Sequence, residues 1–162
     1  MRSVDEARGP LPRARLKDDR RYPNHPLPGV GALIFRRGSI LLVERGREPL
    51  KGFWSLPGGL VETGEKLEDA LQREILEETG LRVKPLSVFE IFERIMRDSK
   101  GRVEYHYVLI DYVCRVTGGE LRPGDDVAHA MWTPRRRLGE LRLTEGTQGV
   151  IERAFDARRK RT

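Results

Sequence analysis

This sequence predicts an α/β fold, a mixed β-sheet held between helices as an α/β/α sandwich. Runs of β-branched and aromatic residues lie before, between and after two segments of helical periodicity. A sheet served by two such helices buries both its faces by taking one on each side. At 162 residues the chain fits one domain with a substantial core, and it shows no internal repeat.

The elements follow in order. Residues 1 to 21, rich in Arg, Pro and Asp, read as a flexible basic arm, leaving 22 to 162 as the folded domain. Val30 to Arg36 and Ile40 to Arg45 are strands joined by a hairpin at Arg37-Gly38-Ser39, and Glu44 to Gly52 is a polar loop. A helix is predicted over 66 to 79. Thr63 is its candidate cap, Glu68 and Asp69 lie in its first turn, and Gly80 is its left-handed stop. Leu67, Ala70, Leu71 and Ile75 form its buried stripe. Leu81 begins a strand, Leu86 to Met96 is a long strand, and Arg97 to Arg102 turn the chain. Glu104 to Val116 returns antiparallel and ends at Thr117-Gly118-Gly119. Asp126 to Trp132 is a further strand and Pro134 to Leu138 a helical turn, and a helix follows Thr144 and runs through Arg159.

Chemistry concentrates between residues 59 and 81. Glu74, Glu77 and Glu78 stand at i, i+3 and i+4, so their carboxylates share one helix face. An isolated trio of this kind is usually a solvated acidic face. Here Arg73 sits beside it and Pro57-Gly58-Gly59 leads into it, an arrangement suited to a hard divalent cation bound by oxygen. A planar guanidinium can take two carboxylate oxygens at once, so Arg73 reads as a clamp on a glutamate. Glycines at 58 and 59 let the backbone turn sharply and approach a ligand. Phe53 and Trp54, just upstream, are either core residues or a stacking surface for a base.

Gly59, Glu65, Arg73, Glu74, Glu77, Glu78 and Gly80, with apolar Ile75 and Leu81, resemble the signature box of the Nudix hydrolase family, matched at every fixed position. Seven fixed identities at one start would arise by chance with odds of about one in 10^8. The resemblance implies the sandwich fold, and hydrolysis of a nucleoside diphosphate linked to another group with Mg²⁺ or Mn²⁺ as cofactor. It implies Glu74, Glu77 and Glu78 as metal ligands, with the Gly58 carbonyl as another. Arg73 would pair with Glu65 and Glu77, and Glu74 is a candidate for the base that deprotonates water. Asp126, six residues before Trp132, occupies the place of a further acidic ligand, and it reads equally as part of a turn after Pro123-Gly124.

The lead-in Tyr22-Pro-Asn-His-Pro and the run Trp54-Ser-Leu-Pro-Gly-Gly resemble bacterial ADP-ribose pyrophosphatase-like members. The expected substrate is therefore ADP-ribose or a nucleoside diphosphate sugar, bound with help from Phe53, Trp54 and Arg97. A nucleoside triphosphate pyrophosphatase is the alternative. An RNA 5′-end pyrophosphohydrolase and a non-catalytic nucleotide sensor stand further back.

The net charge of +6 lies in the tails. Residues 1 to 21 carry seven basic and four acidic residues, and 153 to 162 carry five and one, which leaves 19 and 20 between them. Such tails serve solubility more often than nucleic-acid binding, so no nucleic-acid partner is expected, and Arg135-Arg136-Arg137 reads as solvated surface. No run of 18 apolar residues predicts a membrane span, and the N-terminus lacks a secretory signal. Cys114 has no partner for an intrachain disulfide, and the three histidines lack zinc spacing. A cytoplasmic enzyme is expected, either monomeric or a homodimer.

Overall fold

The computed structural model describes residues 20–124 and 126–160. The chain runs β1 (Leu27–Arg36), β2 (Ser39–Arg45), β3 (Trp54–Ser55), β4 (Gly58–Leu60), α1 (Leu67–Thr79), β5 (Leu81–Arg97), β6 (Val103–Gly119), β7 (Val127–Pro134), a 3₁₀ helix (Arg135–Glu140) and α2 (Thr147–Arg159).

β1 is the hub of the sheet. Leu27 through Ile34 pair in parallel with Tyr107 through Cys114 of β6, while Gly29 to Gly31 pair antiparallel with β4. Past Ile34 the strand turns to β2, with Phe35 opposite Ile40. β2 in turn pairs antiparallel with β3 and β7, and β6 with β5. One parallel pair among antiparallel ones makes the sheet mixed, as expected.

The side-chain period of two sends alternate residues of β1 into different cores. Val30, Ala32 and Ile34 meet Ala70, Leu71 and Ile75 of α1. Leu33, with Ile40 and Leu42 of β2, meets Val150, Ile151 and Ala154 of α2. Each fully buried Leu or Ile contributes about 1.5–3 kcal/mol. This two-sided core is the predicted sandwich.

The structure corrects several details of the sequence reading. α1 begins at Leu67 with Lys66 as its N-cap and no side-chain cap, so Thr63 does not cap it. The Glu62 N–H instead donates to Glu65 Oε2 at 3.0 Å and closes the preceding loop. Leu67 is 37% exposed and drops out of the buried stripe, whereas Thr79 joins it. Gly80 does stop the helix in the left-handed region, at φ 72°. Pro57-Gly58-Gly59 is more than a turn, because Gly58 and Gly59 belong to strand β4. β5 is one strand across Pro85, which sits where the register slips between Pro85 and Ser87. Such a bulge on a sheet-edge strand tolerates the missing N–H. β6 keeps pairing to Gly119 rather than ending at Val116, and α2 starts at Thr147.

Of the predicted arm, residues 1–19 lie outside the described part, while Arg20 and Arg21 are placed against the fold. Arg135 bonds Glu152 and Asp156, and Arg137 bonds Glu140, so two of the three clustered arginines are locally paired.

Candidate active site

α1 presents its carboxylate face to β4. Burial of Ala70, Leu71, Ile75 and Thr79 fixes the helix roll and leaves Glu74 and Glu78 on the side facing Gly58 and Gly59, with Glu77 more exposed beside Arg73. Gly58, at φ 155°, lies so close to β1 that a side chain there would run into the Val30 carbonyl. A side chain at Gly59 would run into the Glu74 carboxyl group. These two glycines therefore bring backbone directly against the carboxylates.

Arg73 holds the glutamates together. Its Nε donates to Glu65 Oε1 at 2.7 Å and its Nη2 to Glu65 Oε2 at 2.9 Å, the two-pronged geometry expected of a clamp. Nη1 donates to Glu74 Oε1 at 2.6 Å, and Nη2 also reaches the Leu60 carbonyl at 3.1 Å. Glu77, the second predicted partner, is only within 3.8 Å, so the tight partners are Glu65 and Glu74. The Arg73 bonds hold Glu65 below the usual carboxylate range and raise the guanidinium further.

Glu78 turns inward, and its Oε2 accepts the Gly58 N–H at 2.9 Å. Burial pushes its carboxyl up to about 8, the Gly58 bond opposes the rise, and the neighbouring Glu74 charge adds to it. Glu74 is also raised, first by burial and then by Glu77, with Arg73 pulling the other way. Two inward carboxylates each resist ionising beside the other.

Asp126 stands just before β7, exposed, with Arg47 Nε at 2.8 Å from its Oδ1. Its charge still reaches Glu78. The loop from Glu120 to Gly124 brings it there by packing on the end of α1: Arg122 N–H donates to the Thr79 carbonyl and Gly124 N–H to that of Glu78. Trp54 packs against the α2-side core, its backbone bonded to Arg142 and Thr144. Phe53 lies under the Arg142 guanidinium, 4.1 Å from ring centroid to Cζ. Arg97 sits at the far end of β5, where its Nη1 donates to the Gly101 carbonyl in the hairpin turn.

Carboxylate oxygens suit a divalent cation, although among the described residues no three His, Cys, Asp or Glu side chains stand grouped so as to hold a metal ion. Glu74 is turned to Arg73 and Glu78 to Gly58 instead. Mg²⁺-type sites need no cage, since they use a few carboxylates with waters and substrate phosphates. Crowded carboxylates with raised proton affinity are what such a cation would compensate.

Sequence reading missed a second group of residues. Arg45 ends β2, Arg94 and Tyr107 face each other across β5 and β6, and Asp111 is buried over Gly31. Burial, and then the Glu90 charge, raise the Asp111 carboxyl to about 6, with Arg94 opposing. The available signal was charged residues interrupting otherwise apolar strands.

A family model described as the NUDIX domain matches residues 25–154, and the chain belongs to the Nudix hydrolases, a pyrophosphohydrolase by that membership. Among its relatives, the ADP-ribose pyrophosphatase of Methanocaldococcus jannaschii is 40% identical over 117 residues, covering 72% of this chain and 67% of that protein. YjhB of Bacillus subtilis is 33% identical, covering 83% of this chain and 62% of that protein. The chain thus spans about two thirds of the length of these relatives. The crystal structure of a MutT NUDIX hydrolase from Burkholderia pseudomallei matches with a TM-score of 0.70 at 33% identity, over 80% of this chain and 98% of that one. No helix among the described residues is long and apolar enough to cross a membrane.

Proposed function

We propose that this protein hydrolyses the phosphoanhydride of ADP-ribose or a related nucleoside diphosphate sugar, with Mg²⁺ or Mn²⁺. The observation that carries the reading is the Arg73 clamp, which ties Glu65 and Glu74 to one guanidinium beside Glu78 and Gly58. The substrate class is supported by the likeness to the M. jannaschii ADP-ribose pyrophosphatase.

Glu74, Glu77, Glu78 and the Gly58 carbonyl would hold the cation, with Asp126 at the margin. When bound it supplies neutralisation of phosphate charge and a water of lowered pKa. The chain's own contribution is positioning. Arg73 fixes the Glu74 rotamer, the Gly58 N–H fixes Glu78, and Gly59 leaves room for the Glu74 carboxyl group. Glu74, half-free of Arg73 through its second oxygen, is the group we assign to accept the proton of the attacking water. Water adds to one phosphorus, the bridging P–O bond breaks, and AMP and ribose 5-phosphate leave.

The test is product release from ADP-ribose, NADH, diadenosine polyphosphates and nucleoside triphosphates with and without Mg²⁺. AMP and ribose 5-phosphate should form from ADP-ribose only with the metal, and Glu77→Gln should remove most of that activity. Preferred release of pyrophosphate from nucleoside triphosphates would replace this reading with the triphosphatase one.

A further inference from the structure

Basic side chains from three separate segments meet at one end of the molecule, remote from the carboxylate face. Strand β2 sets the geometry. At its start Ser39 pairs with Arg36 of β1 and with Pro134 of β7, which places the Arg36-Arg37 turn beside the arginine run that opens the 3₁₀ helix. At its other end Arg45 pairs with Val127, next to Asp126. The strand between them holds these two ends roughly 20 Å apart.

Helix α2 brings the third segment. Phe155 meets Phe35 edge to face, with ring centroids 5.0 Å apart, so the last turns of the helix lie against the end of β1. Arg158 Cζ stands 4.5 Å from the centre of the Phe35 ring, and Arg135 Cζ stands 5.6 Å from that of Phe155. On the other side of the sheet Arg36 Cζ is 5.7 Å from the centre of the Trp132 ring. These ring contacts hold three guanidiniums in place, so a partner that binds them loses less side-chain entropy.

Nearby acids neutralise only part of this charge. Glu152 and Asp156 both bond to Arg135, and Glu140 bonds to Arg137. Arg36, Arg37, Arg136 and Arg159 are exposed and form no ion pair among the described residues. The sequence holds them in three distant runs, so their gathering is visible only in the fold.

The chemistry of the surface selects its partner. The exposed large apolar side chains of the described residues are Tyr22 and others on α1, β5 and β6, with none at this end, so a bilayer would find no apolar anchor here. Guanidinium forks match phosphate oxygens, and a strand with one charge per nucleotide can meet several of them in turn. The Phe35 and Trp132 rings already carry their own arginines and offer bases no open stacking face. We propose that Arg36, Arg37, Arg136 and Arg159 form a docking surface for the phosphate backbone of a nucleic acid, bound without base readout and separate from the active site.

The test measures fluorescence anisotropy of a labelled single-stranded RNA oligonucleotide with the full-length protein across a salt series. Wild type should bind, and its affinity should fall steeply with salt. Arg36→Glu combined with Arg136→Glu should weaken binding by about tenfold and reduce the slope of log affinity against log salt by about 1.4, the loss of two phosphate contacts. Lys51→Glu combined with Lys100→Glu changes the net charge equally at other exposed places and should stay within about twofold of wild type, because distant charges are screened. Should Arg36→Glu lower the melting temperature, Arg136→Glu with Arg159→Glu repeats the measurement without disturbing a ring contact. No RNA binding by wild type, or equal loss in the two pairs, would overturn the proposal. So would capture by phosphatidylserine vesicles that depends on Arg36 and Arg136 while RNA binding does not.

Discussion

Arg73 grips Glu65 with two parallel bonds, Nε to Oε1 at 2.7 Å and Nη2 to Oε2 at 2.9 Å, across the entrance of α1. Lysine keeps the charge but has a single ammonium that cannot form this fork and still reach Glu74. Arg73→Lys is therefore expected to lower kcat/KM by at least about tenfold, in line with losing support to a metal ligand. Circular dichroism should show an intact fold. Wild-type turnover in this variant would reduce Arg73 to a surface cation.

Glu78 makes stability depend on pH in a definite direction. Its folded carboxyl stands at about 8 against an ordinary 4.5, so the folded protein holds this proton more tightly than the unfolded chain. The resulting stabilisation is fully present below 4.5 and is lost as pH rises through about 8. With chelator present, Glu78→Gln should melt higher than wild type at pH about 8, the gap closing toward pH about 5. With Mg²⁺ the same variant should lose most of its hydrolysis. Parallel melting-temperature profiles for the two proteins would show that Glu78 does not titrate as its surroundings dictate.

The two glycines of β4 should respond differently to alanine. At Gly59 the new methyl group meets first the Glu74 carboxyl end, a side chain that can move aside at the cost of its Arg73 bond. Gly59→Ala should thus fold normally and lose activity. At Gly58 the methyl group meets the Val30 backbone at a positive φ, so Gly58→Ala should lose more than about 1 kcal/mol of stability. Denaturant melts beside activity assays separate the two cases.

Glu74→Gln preserves shape and removes the charge. Nucleotide binding, read by calorimetry with a non-hydrolysable ADP-ribose analogue, should persist. The kcat should fall by about 10²–10⁴, the range for losing a positioned acid–base group. A drop smaller than about fivefold would move the search for the base to Asp126, Asp125 or Glu120.

What could be read from the sequence was what is local to it. Glu74, Glu77 and Glu78 share a face because helix geometry places i, i+3 and i+4 together, whatever surrounds them. Arg73 and Glu65 were legible as a pair through the family resemblance, but the preference for Glu74 over Glu77 depends on how the side chains settle against β4. Thr63 was misjudged as a cap because Glu65 closes that loop on Glu62 instead. Leu67 followed the helical period, yet a period gives direction and not the extent of the sheet beneath. Arg94 and Tyr107 were invisible as a pair, since they meet only when β5 and β6 lie side by side.

The long β5–β6 ribbon has a consequence for how the molecule assembles. Its strands meet through a turn of a few residues, so closing it costs little chain entropy. Joining Leu27 of β1 to Tyr107 of β6 must instead close a loop spanning most of the domain. The ribbon can therefore form early, with β1 docking later as the slow, topologically demanding step. Arg94 and Tyr107 would then be neighbours before β1 brings Gly58 and Gly59 of β4 into the sheet, and a nascent chain would gain its reactive centre only at the end of folding.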